Sequence, residues 1–325
     1  MALALAGVVA WSVLWFVAAT IVDRQIEKAE IAAGTSGTTI ACVHRDISGF
    51  PFRIEVRCKD GSHVGNGRDT VTVAGLAVTA LVYNPSRVIA EVRGPVTLGG
   101  EGGLRFAADW SLAHASARLD LGEGALERFD AEVVDFVLEA VGAGELRMAE
   151  VDVNVRRNPQ SPDDVDFAAS LDRLVPFSGG EPARITLQGR LEGAAGLLRG
   201  DAQSVLQRAL SGSLPLVIDT VQLDSAGLRV AANGNLTLGR DGKLDGKLDV
   251  AVSGHDKGLP YVGQLAPQHE DTINTLITNL LTYAPDTKIG EHDAKKVSLV
   301  VNDGVVKAGI VTLYTVPPVK ILAQR

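Results

Sequence analysis

Two cysteines are the residues of this chain best placed for covalent chemistry. Cys42 and Cys58 lie symmetrically about residue 50. Strand-like stretches at 38–47 and 52–57 flank Ser48-Gly49-Phe50-Pro51. An antiparallel hairpin centred on that turn would set the two thiols opposite one another, with Cβ atoms about 4.5–5.5 Å apart, close to disulfide range. A bridge between them is expected, contributing roughly 3 kcal/mol by restricting the unfolded chain. Two buried thiols are the alternative these residue types leave open. A structural bridge implies an oxidising compartment, hence a body outside the cytoplasm.

The other reactive side chains form no constellation. His44, His63, His114, His255, His269 and His292 are scattered without ligand-like spacing. Glu291-His292-Asp293 offers metal-binding atoms but falls between a helical and a strand-like stretch, where it reads as a solvated loop. The aspartates at 241, 245 and 249 repeat every four residues, which misses the calcium-loop pattern and suits a hairpin with alternating leucines. Gly99-Gly100-Glu101-Gly102-Gly103 lies between strands, with no helix start to receive a phosphate, and reads as a turn. G-x-S-x-G, H-E-x-x-H, P-loop and C-x-x-C motifs are all missing. The expectation is a protein that is not an enzyme, with no catalytic, cofactor-binding or metal-binding residues and no cofactor.

The elements that carry these residues follow from composition and patterning. The chain has 325 residues, 46% of them hydrophobic, enough for a sizeable core. Its net charge is −8, and no basic cluster offers nucleic acid a footing. The 35 glycines scattered among Val- and Leu-rich segments suit many short strands joined by tight turns.

Residues 1–22 carry no charge and read as a transmembrane anchor, since about 33 Å of helix matches a hydrocarbon core of roughly 30 Å. A cleaved signal peptide is disfavoured by the absent basic n-region and by an apolar run longer than an h-region. Helical patterning continues through the charged residues 23–34 as a stalk. Arg24 and Lys28 after the span weigh towards a cytoplasmic body, but the cysteines weigh the other way. The combined reading is a single-pass protein of the bacterial inner membrane with its body in the periplasm.

Beyond the stalk, period-2 alternation dominates. It slips phase at Gly75, where a bulge is expected, and Gly94-Pro95 is expected to break the strand at 88–92. Residues 126–138 are ambiguous between helix and strands, and strands are preferred. A short helix is predicted at 201–210, with Val205, Leu206 and Leu210 on one face, and another at 267–283. Asp241-Gly242 and Asp303-Gly304 are dipeptides favoured in type I′ turns. The fold class is mainly β: an N-terminal transmembrane helix, then a long antiparallel β-meander, either a curled sheet or sandwich-like, with a few packing helices. Residues 35–198 would form a first β-rich half and 199–325 a second.

Three segments resemble an uncharacterised bacterial envelope family, domain of unknown function 2125. They are Ile47 to Cys58 with its core Gly49-Phe50-Pro51-Phe52-Arg53, Tyr83 to Pro95 with Tyr83, Pro85, Gly94 and Pro95, and the Asn302-Asp303-Gly304 strand closing towards Pro317-Pro318. The resemblance implies a membrane anchor and a periplasmic β-rich body, and it brings no catalytic residues. The segment from Asn235 to Val250 also looks like parts of the AsmA-like group, whose members are anchored in the inner membrane and use an apolar sheet face associated with lipid. Two functions are expected to compete. One is a protein that holds or passes lipid or another hydrophobe, and the other is a non-catalytic scaffold or assembly factor for envelope proteins, binding by strand addition.

Overall fold

The computed structural model describes residues 1–35, 39–59, 62–65, 69–100, 103–176, 179–211, 214–239, 241–254, 275 and 278–318. Its first element, α1 (Ala2–Thr35), is one uninterrupted helix of 34 residues, so the anchor and stalk stretches are continuous. The helix is long and apolar enough to cross a membrane. Its two hydroxyls in the uncharged stretch satisfy themselves locally: Ser12 donates to the Val8 carbonyl and Thr20 to that of Phe16, both at 2.8 Å.

The rest is mainly antiparallel β-structure in two compact units. The first unit comprises Met1–Leu121, Phe129–Val151 and Pro176–Gly179. Its strands are β1 (Thr39–Cys42), β2 (Arg45–Ser48), β3 (Arg53–Cys58), β4 (Ser62–Gly65), β5 (Asp69–Leu81), β6 (Asn84–Gly100), β7 (Gly103–Asp109) and β8 (Leu112–Asp120). Two further strands, β9 (Ala125–Ala140) and β10 (Gly144–Arg157), contribute residues to both units, and β9 is the strand form preferred for 126–138.

The long hairpin β5–β6 is the spine of the first unit. Along β5, β4 pairs residues 70–73 and β3 pairs 76–81. Along β6, β8 pairs residues 87–91 and β7 pairs 96–100, and β9 then pairs β7. Each long strand therefore shares its outer edge between two short ones. The expected bulge is present, as a register shift between Val73 and Gly75. The expected break at Gly94-Pro95 is not: β6 runs through both residues, because what changes there is the partner strand rather than the strand itself.

The stretch 38–47 also departs from expectation, splitting at Val43-His44, where His44 takes a left-handed φ of 47°. The split sends the two pieces to different partners. Cys42 pairs with Ser62 on β4, whereas Arg45 is the residue opposite Cys58 on β3. The cysteines are thus not ladder partners in one hairpin. They are bonded to each other nonetheless, with Cα atoms 5.2 Å apart, and the bridge staples β1 to β3.

The second unit comprises Gly122–Arg128, Asp152–Val175 and Gly180–Arg325. It contains β11 (Val165–Leu174), β12 (Ala183–Leu191), a 3-10 turn at Ala195–Arg199, α2 (Ala202–Leu210), β13 (Leu214–Ser225), β14 (Leu228–Leu238), β15 (Leu244–Ser253), β16 (Asp286–Ile289), β17 (His292–Asn302), β18 (Val305–Ala308) and β19 (Val311–Thr315). β11 to β15 pair in sequence order, β15 pairs β17, and β16 and β18 pair β17, with β19 on β18. Asp303-Gly304 makes the expected turn, with φ of 52° and 78°. At Asp241-Gly242 only the glycine is left-handed, at φ 76°, while the Asp241 carboxylate accepts from the Lys243 amide inside a longer loop. The helix expected at 267–283 lies largely outside the described residues, of which 278–282 are helical.

Candidate functional site

Residues directly opposed in an antiparallel ladder point to the same face, so the registers assign every strand residue to a side. In the first unit Val56, Val78, Ala90 and Ala115 form one row, and Ile54, Ala80, Val88 and Ala117 the next. One residue along, Arg57, Ala77, Glu91 and His114 line the opposite face. The sheet is apolar on one side and charged on the other. On the charged side Glu55 is buried between Arg57 at 2.5 Å and Arg53 at 3.3 Å, at the floor of a cleft reaching Glu91 and Arg93.

The second unit repeats this division. Phe167, Gly189, Ile218, Gly234, Leu248 and Leu299 share one row, and Leu171, Ile185, Leu223, Val230 and Val252 another. The reverse face carries ion pairs such as Asp166 with Arg156 and Arg190, and Arg229 with Asp224. Burial works to raise the Asp166 carboxyl, but donation from Asn158, Arg156 and Arg190 outweighs it and holds the group below the usual carboxylate range.

One end of this apolar face is covered. Val165, Ala194, Leu198, Val205, Ala209 and Leu214 form a buried cluster, which brings the 3-10 turn and α2 against the ends of β11 and β13. Sequence explains why a helix starts here: the Asp201 side chain accepts from the Ser204 amide as N-cap, and Gly200 ends the preceding turn in a left-handed conformation. Beyond the cap the apolar rows are only half-buried, and no large side chain among the described residues is fully buried. A second covering sheet would have buried these rows outright, so among the described residues each unit presents the pattern of a single layer with one apolar face. Leu280, Tyr283, Pro285, Val297, Ala308 and Val311 also line an apolar cleft of about 450 Å³ in this unit.

The residues singled out by family resemblance fall into two places. Gly49 to Arg53 form the tip of the β2–β3 hairpin, with Gly49 at φ 102°, and the Val82 amide donates to the Phe52 carbonyl at 3.0 Å, which ties the tip to the β5–β6 turn at Tyr83. Gly94 and Pro95 lie instead where β6 changes partner. There a Cβ on Gly94 would come 2.1 Å from an Asp109 carboxylate oxygen. Pro85 stands exposed near the start of β6.

What the sequence reading missed are the tryptophans. The Trp11 and Trp15 indoles donate to the Pro51 and Arg53 carbonyls at 2.8 and 2.7 Å, and Phe50 lies against both Trp15 and Phe16. The signal was present, since an indole N–H in the middle of an apolar helix is a donor that requires an acceptor from elsewhere in the fold.

Fold and site define a class: an antiparallel β-protein of amphipathic single-layer sheets behind a long apolar N-terminal helix. The chain belongs to the family DUF2125, described as an uncharacterized protein conserved in bacteria, whose model matches residues 15–317. No curated protein and no solved structure matches it significantly.

Proposed function

We propose that this protein is anchored in the bacterial inner membrane by α1, with its body in the periplasm, and that it holds or passes a lipid or similar hydrophobe on its apolar sheet face without catalysing a reaction. One observation carries the reading: in the second unit the registered apolar rows are covered at one end by α2 and left half-buried beyond it. Water against such a face is costly at roughly 25 cal/mol per Å² of apolar surface, a cost that an acyl chain laid along the rows would relieve. The apolar helix and the Cys42–Cys58 bridge support the membrane and the oxidising compartment respectively.

Photo-crosslinking in membranes tests the proposal, with p-benzoylphenylalanine placed at Leu223 on the apolar face or at its neighbour Gln222 on the reverse face. Lipid adducts at 223 and not at 222 are expected. Protein conjugates at 223 without lipid would instead favour the scaffold role.

A further inference from the structure

The contact between α1 and the β2–β3 tip sits at an unexpected height. The first charge after the apolar stretch is Asp23, and Trp15 and Trp11 precede it by about 12 and 18 Å along the helix. A headgroup layer is only about 5–8 Å thick on each side of the hydrocarbon. Because both indoles grip the backbone of the tip, Gly49 to Arg53 stand level with the uncharged part of α1 rather than with its charged stalk. Three aromatic side chains on this end of the unit face outward: Phe50, Phe52 and Tyr83 are 49%, 62% and 66% exposed.

We infer that this aromatic tip is immersed in the same bilayer that holds α1, reaching past its headgroup layer and giving the first unit a second membrane contact. The inference rests on the reading of α1 as a membrane helix. Immersion demands that backbone polar groups be satisfied within the protein, and four of the five tip carbonyls meet that demand. The carbonyls of Gly49, Pro51, Phe52 and Arg53 accept from the Arg53 amide, Trp11, the Val82 amide and Trp15 in turn, and Pro51 has no amide to satisfy. The side chains suit that depth as well: Phe50 and Phe52 are apolar, and Arg53, paired with Glu55 and half exposed, can direct its guanidinium back towards the headgroups. Arg45 binds Asp23 and Glu30 of the stalk, which fixes β2 alongside the helix and leaves the tip no freedom to swing away.

The test uses the full chain with its bridge intact, reconstituted in vesicles of phosphatidylethanolamine and phosphatidylglycerol. A single added cysteine carries a nitroxide at Phe52, Tyr83, Pro85, Val64 or Val8. Val64, exposed on β4 opposite Val71, lies about 30 Å along β5 from Leu81 at the tip and serves as the aqueous reference, while Val8 on the exposed face of α1 is the lipid reference. Accessibility to oxygen relative to a water-soluble nickel chelate is expected to be severalfold higher at 52 and 83 than at 64, approaching the value at 8. Pro85, exposed beside Tyr83, gives an independent reading should one substitution disturb the tip. If 52, 83 and 85 match 64 while 8 reports lipid, the immersed tip is overturned and the anchor stands. If 8 also matches 64, α1 is not in the bilayer and both readings fall.

Discussion

The indole N–H of Trp110 donates to the carbonyl of Val92 at 2.8 Å, at the place where β6 has left β8 and not yet met β7. A side chain from the connection between the two short strands thus fills the gap in the ladder that their separation creates. The ring also stacks on Phe136 of β9, with centroids 6.2 Å apart. Trp110→Phe keeps a ring and leaves the carbonyl without its donor, so a loss of about 1–2 kcal/mol is expected. Trp110→Ala removes the stacking too and should cost more. Chemical denaturation midpoints of the two variants measure the difference.

Reduction of the Cys42–Cys58 bridge frees β1 from β3. With a sequence separation of 16, the loss is expected to be roughly 3 kcal/mol. Unfolding with and without reductant, compared with the Cys42→Ser/Cys58→Ser double variant, should give the same shift by both routes. Coincident curves for reduced and oxidised protein would show the staple to be dispensable.

Asp166 makes stability depend on acid. Its folded carboxyl is held below the ordinary value, near 4 for an aspartate. Its contribution is therefore complete above that ordinary value and is lost as the pH falls through the lower folded one. Asp166→Asn should cost about 1–2 kcal/mol at neutral pH, towards the lower figure because Arg156 is mostly exposed. The variant should also show a flatter decline of stability below pH 4, which urea unfolding across a pH series reads directly.

Gly189 faces the ring of Phe167 across the β11–β12 ladder. A Cβ there would lie 2.4 Å from the Val217 carbonyl oxygen and 2.7 Å from that ring. Gly189→Ala is expected to cost about 1–3 kcal/mol through this overpacking. It should also displace Phe167 from the apolar row, and a drop in lipid crosslinking at Leu223 alongside the lowered melting temperature would reveal it.

Much of the architecture could be read from periodicity. The alternation along β5 with its slip at Gly75, the capped start of α2 at Asp201 and the Asp303-Gly304 turn are local signals, and local sequence carries them. The errors share one cause. Gly94-Pro95 suggested a strand end, and residues 38–47 an unbroken strand, because a change of partner strand leaves no mark in one-dimensional alternation. The cysteine pairing could be read although its register could not, since a disulfide tolerates neighbours offset from the ladder as long as their Cα atoms stay close. The apolar face was visible as rows of Val and Leu, but how far it is covered depends on where α2 lands. The grip of Trp11 and Trp15 on the hairpin tip spans about forty residues of chain, beyond the reach of any window.

The shared edges of β5 and β6 also shape how the first unit opens. Because β3 and β8 flank one half of the spine and β4 and β7 the other, amide protons in the two halves are expected to exchange as separate sets. The half beside the tip is gripped by the Trp11 and Trp15 indoles of α1, whereas the half ending at Gly100 and Gly103 is gripped by neither indole. Deuterium uptake should therefore proceed from the far end inward, with β4 and β7 exchanging while β3 and β8 still hold theirs. The sheet would fray like a zip with one end sewn shut.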